Sequence, residues 1–113
     1  MINVSVKCTL NNTFMHGSSL NCKNIIISAG FVGFKGGKRS TPFAAQKVAE
    51  MMGDKLLVNH ISHINLSFTG FGKKKIKKSI IKGLKIKKIC IVNLFDKTAI
   101  AHNGCRAKKK RRL

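Results

Sequence analysis

Acidic residues are almost missing from this chain. Glu50, Asp54 and Asp96 stand against 23 lysines and arginines, which gives a formal charge of +20 on 113 residues. A charge of this size repels itself and opposes compaction unless a polyanion neutralises it. Three carboxylates are also too few for the acidic clusters in which nucleases hold two metal ions. The sequence therefore predicts an anionic macromolecule as partner and does not support metal-dependent hydrolysis.

Long apolar runs, tryptophan and tyrosine are missing as well. The chain has no tryptophan, no tyrosine and one proline, and no run of 18 apolar residues occurs. The densest cationic stretch, residues 73–88, carries no aromatic side chain to anchor it at a lipid interface. Membrane binding is therefore disfavoured. Met1 leads almost at once into a strand pattern, so we expect neither a signal peptide nor an Arg-rich presequence.

Cysteine pairs suited to zinc are also missing. Cys8, Cys22, Cys90 and Cys105 form no C-x-x-C pair, so we expect no metal site and no cofactor. A disulfide framework is equally disfavoured, because a chain with 43% hydrophobic residues can build a core without one. We predict that three of the cysteines are buried as small apolar residues.

Alternating patterns predict a mixed α/β domain. A strand with one buried face is indicated by strict alternation at Ile2, Val4, Val6, Cys8 and Leu10. Further strands are expected at residues 13–16, 22–29, 64–68 and 86–94, with a turn at residues 17–19. The order is βββαβαβ, with helices on the faces of a mixed sheet, and it is similar to the ribonuclease H-like architecture.

Two helices are expected between the later strands. The hydroxyl of Ser40 or Thr41 followed by Pro42 marks a helix start, and this helix should run to about Val58. Its buried face is expected to consist of Phe43, Ala44, Val48, Met51, Met52 and Leu56. A second, short amphipathic helix is expected at residues 79–84, preceded by the lysine run of residues 73–78.

Residues 30–37 are predicted to be a glycine-rich, cationic loop that leads into the first helix. The segment is similar to a phosphate-binding loop, but Val32 and Arg39 stand where a Walker motif needs glycine and a hydroxyl residue. Nucleotide hydrolysis is therefore not predicted. Lys35, Lys38 and Arg39 still suit contact with backbone phosphates near a helix N-terminus. A solvated loop without a ligand is the alternative.

Catalytic machinery is not evident. The three carboxylates are expected to pair with lysines, and His60 and His63 to lie in a loop or on the surface. No activated serine or cysteine accompanies them. We predict that the chain is not an enzyme.

Residues 102–113 form a polar turn followed by a run of cations. Six of the last eight residues are lysine or arginine, so this segment cannot pack as a core and gains free energy by displacing counterions from a polyanion. Asn103-Gly104 favours a tight turn, since both residues tolerate positive φ. We therefore divide the chain into a domain of residues 1–101 and a basic tail of residues 102–113.

Two stretches together resemble one protein family. Residues 33–46 (GFKGGKRSTPFAAQ) and 102–106 (HNGCR) followed by lysines and arginines are closely similar to small-subunit ribosomal protein eleven, the universal S-eleven family. Matches at residues 11–13 (NNT), 28–30 (SAG) and 96–98 (D-x-T) extend the likeness over nearly the whole chain. The resemblance implies a ribonuclease H-like ribosomal protein without enzymatic activity, seated on the platform of the small subunit. The lysine run of residues 73–78 departs from the family, which has a shorter and less charged segment there.

The resemblance also implies partners and contact residues. The partners are small-subunit rRNA of the central domain, neighbouring small-subunit proteins on the platform, and messenger RNA near its exit; a membrane and a homo-oligomer are not implied. The residues expected to contact RNA are Asn11, Asn12, Lys35, Lys38, Arg39, Ser40, Thr41, His102, Asn103, Gly104, Cys105, Arg106, Lys108, Lys109, Lys110, Arg111 and Arg112.

Composition bears on localisation. Many isoleucines, lysines and asparagines are what a strongly AT-biased gene would encode, so we expect a mitochondrial small subunit, with a plastid or a bacterial cytoplasm as alternatives. A free-standing basic nucleic-acid-binding protein with little site preference is the main functional alternative. A degenerate nuclease would need the carboxylates that the chain lacks.

Overall fold

A five-stranded mixed sheet forms the body of the protein, with the strand order β3-β2-β1-β4-β5. The computed structural model describes residues 2–18, 24–70 and 74–113. Its strands are β1 (Ile2–Cys8), β2 (Thr13–Ser18), β3 (Ile25–Ser28), β4 (His63–Thr69) and β5 (Cys90–Asp96). β2 is antiparallel to both β1 and β3, whereas β1, β4 and β5 run parallel. The predicted mixed α/β fold is confirmed.

The helices of the described segments are α1 (Ala29–Val32), a 3₁₀ helix (Gly36–Ser40), α2 (Pro42–Val58) and α3 (Lys74–Ile86). α2 begins as predicted, because the Thr41 hydroxyl accepts a hydrogen bond from the Ala44 amide at 3.3 Å and Pro42 occupies the first turn. Among the described residues, no helix combines the length and apolarity needed to cross a membrane.

Both long helices cover the same face of the sheet. Ile2, Val4, Val6 and Cys8 are at most 1% exposed and pack with α2 and α3 in one core. The predicted placement of helices on both faces is therefore wrong. The connections β3–α2–β4 and β4–α3–β5 cross the sheet in the same direction, and right-handed crossovers then bring both helices to one side. The opposite face remains open.

Close contact between α2 and α3 depends on Gly83. A Cβ atom at this position would lie 2.7 Å from the Gln46 carbonyl oxygen and 2.8 Å from Ala49 Cβ. The missing side chain thus lets the two helix backbones approach, which completes the cover over the buried face of the sheet.

Several predicted boundaries and burials in the first half of the chain are wrong. Leu10 is 74% exposed because β1 ends at Cys8 and a turn follows. β2 continues through Gly17 and Ser18, where a turn was expected. Phe43 is 59% exposed at the start of α2, where its ring meets Phe34 edge to face at 5.8 Å.

The second long helix is longer than predicted. α3 begins at Lys74 and takes in most of the lysine run, and β5 begins at Cys90, four residues after the predicted strand start at Ile86. Ile76, Ile80 and Leu84 recur at a spacing of four and are buried, so one face of α3 packs while its lysines point outward.

The cysteines differ sharply in exposure. Cys8 is buried, whereas Cys90 and Cys105 are exposed, so the predicted burial of three cysteines is wrong for Cys90 at least. Cys90 opens β5, the edge strand, where no helix covers it. Cys22 lies outside the described residues. Burial raises the pKa of the Cys8 thiol, which keeps it protonated and unreactive.

Thiol labelling should reflect this difference. In a Cys22→Ser variant, a maleimide should modify Cys90 and Cys105 quickly and Cys8 only after unfolding, because attack needs an accessible thiolate. Peptide mass spectrometry on the native and denatured protein measures this. Labelling of native Cys8 at the rate of Cys90 would contradict the buried position of β1.

Candidate nucleic-acid interface

The segments that carry the predicted contact residues converge on one edge of the sheet. β1, β4 and β5 run parallel, and two antiparallel steps make β3 parallel to β1. The carboxyl ends of these four strands therefore lie at one edge, here called the carboxyl edge. The chain continues from them into residues 9–12, residues 29–41, α3 and the tail. Segments far apart in sequence thus share one side of the molecule.

The turn after β1 presents Asn11 at its tip. The Thr9 amide and hydroxyl both point at the Asn12 carbonyl oxygen, at 2.9 and 3.0 Å, and Asn12 Oδ1 accepts from the Thr13 amide at 2.8 Å. Asn12 therefore holds the turn, while Asn11 is exposed at the carboxyl edge. Of the two predicted contact residues, Asn11 has the side chain that is free to reach a partner.

Residues 29–41 are more ordered than the predicted loop. Ser28 caps α1 by accepting a hydrogen bond from the Phe31 amide at 3.2 Å, and Gly33 ends it with φ of 114°. The 3₁₀ helix follows, and Arg39 Nε donates to the Gly36 carbonyl at 3.3 Å. The loop prediction is therefore wrong. Short helical turns set the spacing of the cations in this segment.

Cations and hydroxyls of this segment have separate roles. The Ser40 hydroxyl donates to the Gly37 carbonyl at 2.9 Å, and the Thr41 hydroxyl donates to the Lys38 carbonyl at 2.7 Å while capping α2. Ser40 and Thr41 thus fix the backbone. Lys35 and Lys38 are exposed and extend their ammonium groups from it. The arrangement suits anions at the positive end of α2, whose first turn has no acidic residue.

Glycine is required where β4 leaves the carboxyl edge. Gly70 has φ of 99°, and a Cβ atom there would collide with the carbonyl oxygen of Cys8. This close approach joins the end of β4 to the end of β1. It holds the turn of residues 9–12 beside the end of β4.

The start of α3 adds cations that sequence reasoning missed. Lys74, Lys75 and Lys78 are exposed near the carboxyl edge, whereas Lys77 forms an ion pair with Asp96 at 3.3 Å. The available signal was the spacing of four between Ile76, Ile80 and Leu84, which are buried in α3. This spacing places the lysines on the outer helix face.

Asp96 fixes the exit of the chain from β5. Its Oδ1 accepts hydrogen bonds from the Thr98 hydroxyl at 2.7 Å and the Thr98 amide at 3.1 Å. These bonds, followed by Lys77, lower the pKa of the Asp96 carboxyl. The carboxylate thus has a structural role, as predicted for the acidic residues, and fixes the point at the carboxyl edge from which the tail leaves the body.

The tail extends from the body without helix or strand. Residues 99–113 are all exposed. The molecule measures 60 × 30 × 23 Å with a radius of gyration of 16.0 Å, whereas a compact chain of this length has a radius of gyration of about 13 Å. Asn103 has the left-handed φ of 62°, but Gly104 does not share it. The expected Asn-Gly turn is therefore carried by Asn103.

Electrostatic compensation inside the molecule is minimal. Each carboxylate side chain has a lysine partner: Lys47–Glu50 at 3.2 Å, Lys87–Asp54 at 3.1 Å and Lys77–Asp96 at 3.3 Å. The predicted pairing of the acidic residues is confirmed. The formal charge of +20 is otherwise left for a partner to neutralise.

The histidine pair does not build a metal centre within the described residues. His60 and His63 are both exposed, as predicted, and His63 Nδ1 lies 3.0 Å from the Ser62 hydroxyl. Across residues 2–18, 24–70 and 74–113, no three His, Cys, Asp or Glu side chains come close enough to hold an ion.

The α/β body has a polycationic edge and an extended cationic tail. These are features of a class of basic proteins that bind polyanions. The sequence profile of the family described as ribosomal protein S11 matches residues 2–112, and the chain belongs to this family. It is therefore a ribosomal protein and not an enzyme. The family predicted from residues 33–46 and 102–106 is confirmed.

Bacterial relatives cover nearly the whole chain. Small ribosomal subunit protein uS11 of Wolbachia pipientis subsp. Culex pipiens (strain wPip) is 36% identical over 115 residues, which span 97% of this chain and 86% of that protein. The uS11 proteins of Borreliella burgdorferi (strain ZS7) and Orientia tsutsugamushi (strain Boryong) are 38% and 32% identical, over 98% and 97% of this chain and 85% and 86% of their own lengths. All three relatives are named as small-subunit proteins.

Proposed function

We propose that this chain is a structural constituent of the small ribosomal subunit that binds rRNA through its carboxyl edge and its tail. The convergence of residues 9–12, 29–41 and the tail on one edge is the observation that carries the proposal. A single RNA surface can touch all three at once, and the summed positive charge favours phosphate contacts there. Family membership supplies the ribosomal context.

Individual residues of this interface have different proposed tasks. Lys35, Lys38 and the tail cations neutralise phosphates, and Asn11 offers an amide that can bind a base or a ribose. Arg39, Ser40 and Thr41 position the backbone of their segment. Residues 102–113 form the basic rRNA-binding tail, whose extended form allows it to pass between RNA helices.

The finer position follows from the family resemblance. We propose binding to rRNA of the central domain on the platform, beside neighbouring small-subunit proteins and near the exit of the messenger RNA. We also propose a mitochondrial small subunit, because the composition rich in Ile, Lys and Asn suits an AT-biased organellar gene. The relatives described above are bacterial, so a bacterial ribosome is the alternative to a mitochondrial one.

Subunit association gives the direct test of this function. A tagged full-length chain expressed in its own host should sediment with small-subunit rRNA and remain bound in salt that strips loosely held basic proteins. Sucrose-gradient fractions are probed for the tag, for small-subunit rRNA and for large-subunit rRNA. A chain spread over all RNA-containing fractions and released by moderate salt would instead indicate a free-standing nucleic-acid-binding protein.

A further inference from the structure

The open face of the sheet carries a row of linked amides. Asn3, Asn65 and Asn93 lie side by side on β1, β4 and β5, because their strands pair in that register. Asn65 Nδ2 donates to Asn3 Oδ1 at 3.1 Å, and Asn93 Nδ2 donates to Asn65 Oδ1 at 3.0 Å. Each amide has two N–H donors and an oxygen with two lone pairs, so hydrogen-bonding capacity remains on all three.

An aromatic ring and a cation lie next to this row. Ser5 and Ser67 form the next rung, with hydroxyl oxygens 3.5 Å apart, and Phe95 pairs with Ser67 in the register of β4 and β5. The Phe95 side chain is 47% exposed. Lys97 Nζ lies 5.6 Å from the centroid of the Phe95 ring. The successive rungs thus present amides, then an aromatic ring, then a cation toward the carboxyl edge.

All of these groups except Asn93, which adjoins it, border a shallow cavity of about 260 Å³. Its lining consists of Asn3, Ser5, Ser18, Asn65, Ser67, Phe95 and Lys97. None of the three acidic side chains lies on this face, because Glu50 and Asp54 are on α2 and Asp96 bonds to Lys77 on the helix side. The chemistry is that of a polar pocket with one stacking ring and an uncompensated cation.

We infer that this cavity, here called the amide pocket, binds an unpaired nucleotide of single-stranded RNA. Phe95 would stack on the base, the amide row would bind its polar edge, and Lys97 would neutralise the adjoining phosphate. Phe95 and Lys97 are two residues apart in extended chain, a separation of about 7 Å. A base stacked on Phe95 would therefore have its phosphate near Lys97. A duplex cannot enter in this way, because its bases are stacked and paired.

The amide pocket is distinct from the contacts proposed above. It lies on the open face, whereas the residues predicted from sequence lie in the segments beyond the carboxyl edge. Lys97 lies at the end of the pocket nearest that edge, so one RNA can pass from the pocket to the cations of the edge by way of Lys97. This inference rests on the proposed function, since it takes RNA as the polyanion.

Two RNA probes test the amide pocket: a single strand without internal pairing, and a blunt duplex with the same number of phosphates. Phe95→Ala should weaken binding of the single strand roughly tenfold, the loss of one stacked base, and leave duplex affinity nearly unchanged. Phe95→Tyr should restore single-strand binding. Leu57→Ala is the control, because Leu57 has a similar exposure of 43% and lies at the end of α2 away from the carboxyl edge.

Crosslinking of the unaltered protein gives an independent readout that does not depend on the variants folding. A single strand containing 4-thiouridine should crosslink to the tryptic peptide of residues 89–97, which contains Asn93 and Phe95. Equal losses of single-strand and duplex affinity in Phe95→Ala, or unchanged single-strand affinity with no crosslink in this peptide, would overturn the pocket. Duplex binding and subunit association would survive that outcome, so the proposed function would stand.

Discussion

Val6→Asp should unfold the domain or lower its unfolding free energy by about 4 kcal/mol or more, because the new carboxylate would be buried without a partner. Val6 is fully buried between β2 and β4, beneath α2 and α3. A typical domain has only about 5–15 kcal/mol of stability. Thermal unfolding followed by circular dichroism should show a transition that is much lower or lost.

Lys7→Asp is the matched control for this change. Lys7 follows Val6 directly, but its side chain lies on the open face and is exposed. The same new carboxylate should therefore change the melting temperature only slightly. Similar melting temperatures for the two variants would contradict the one-sided burial of β1.

Replacing Lys108, Lys109, Lys110, Arg111 and Arg112 by glutamine should flatten the salt dependence of RNA binding. Each phosphate contact contributes roughly 0.7–0.9 to the magnitude of the slope of log affinity against log salt, so five contacts account for about 3.5 to 4.5 units. The melting temperature should stay close to that of the unaltered chain, because the tail is exposed throughout. Filter binding over a salt series measures the slope.

A second variant separates the effect of the tail's position on RNA binding from the effect of total charge. Lys85 and Lys88 lie beyond the opposite end of the sheet, where α3 leads into β5. Neutralising them should change the salt slope little. An equal loss of slope per removed charge in the two variants would show that the tail has no special role in binding.

Local signals predicted much of the fold. Strict alternation at β1 identified its buried face, and Thr41-Pro42 identified the start of α2, because both depend on residues adjacent in sequence. The same reasoning misplaced the start of α3. A dense lysine run hides the helical period there, and only the buried spacing from Ile76 to Leu84 reveals it.

Local sequence signals could not predict which distant segments of the chain come together in the fold. The convergence of Asn11, Lys38 and the tail depends on strand order and direction, which no single segment encodes. The amide row depends on the register that places Asn65 between Asn3 and Asn93. Each of these asparagines, considered alone, looks like an ordinary solvent-exposed strand residue. They become a candidate site because three strands place them side by side.

Competition for assembly tests the central claim, that the carboxyl edge is the rRNA-binding side. Lys35→Gln/Lys38→Gln and Lys85→Gln/Lys88→Gln remove the same charge from exposed side chains on opposite sides of the molecule. Each variant is co-expressed with the unaltered chain, and the ratio of the two in assembled small subunits is measured by mass spectrometry. We expect the first variant to be depleted about tenfold, since two exposed ion contacts of up to about 1 kcal/mol each are lost, and the second to match the unaltered chain. Equal depletion of both, or of neither, would contradict the carboxyl edge as the binding side.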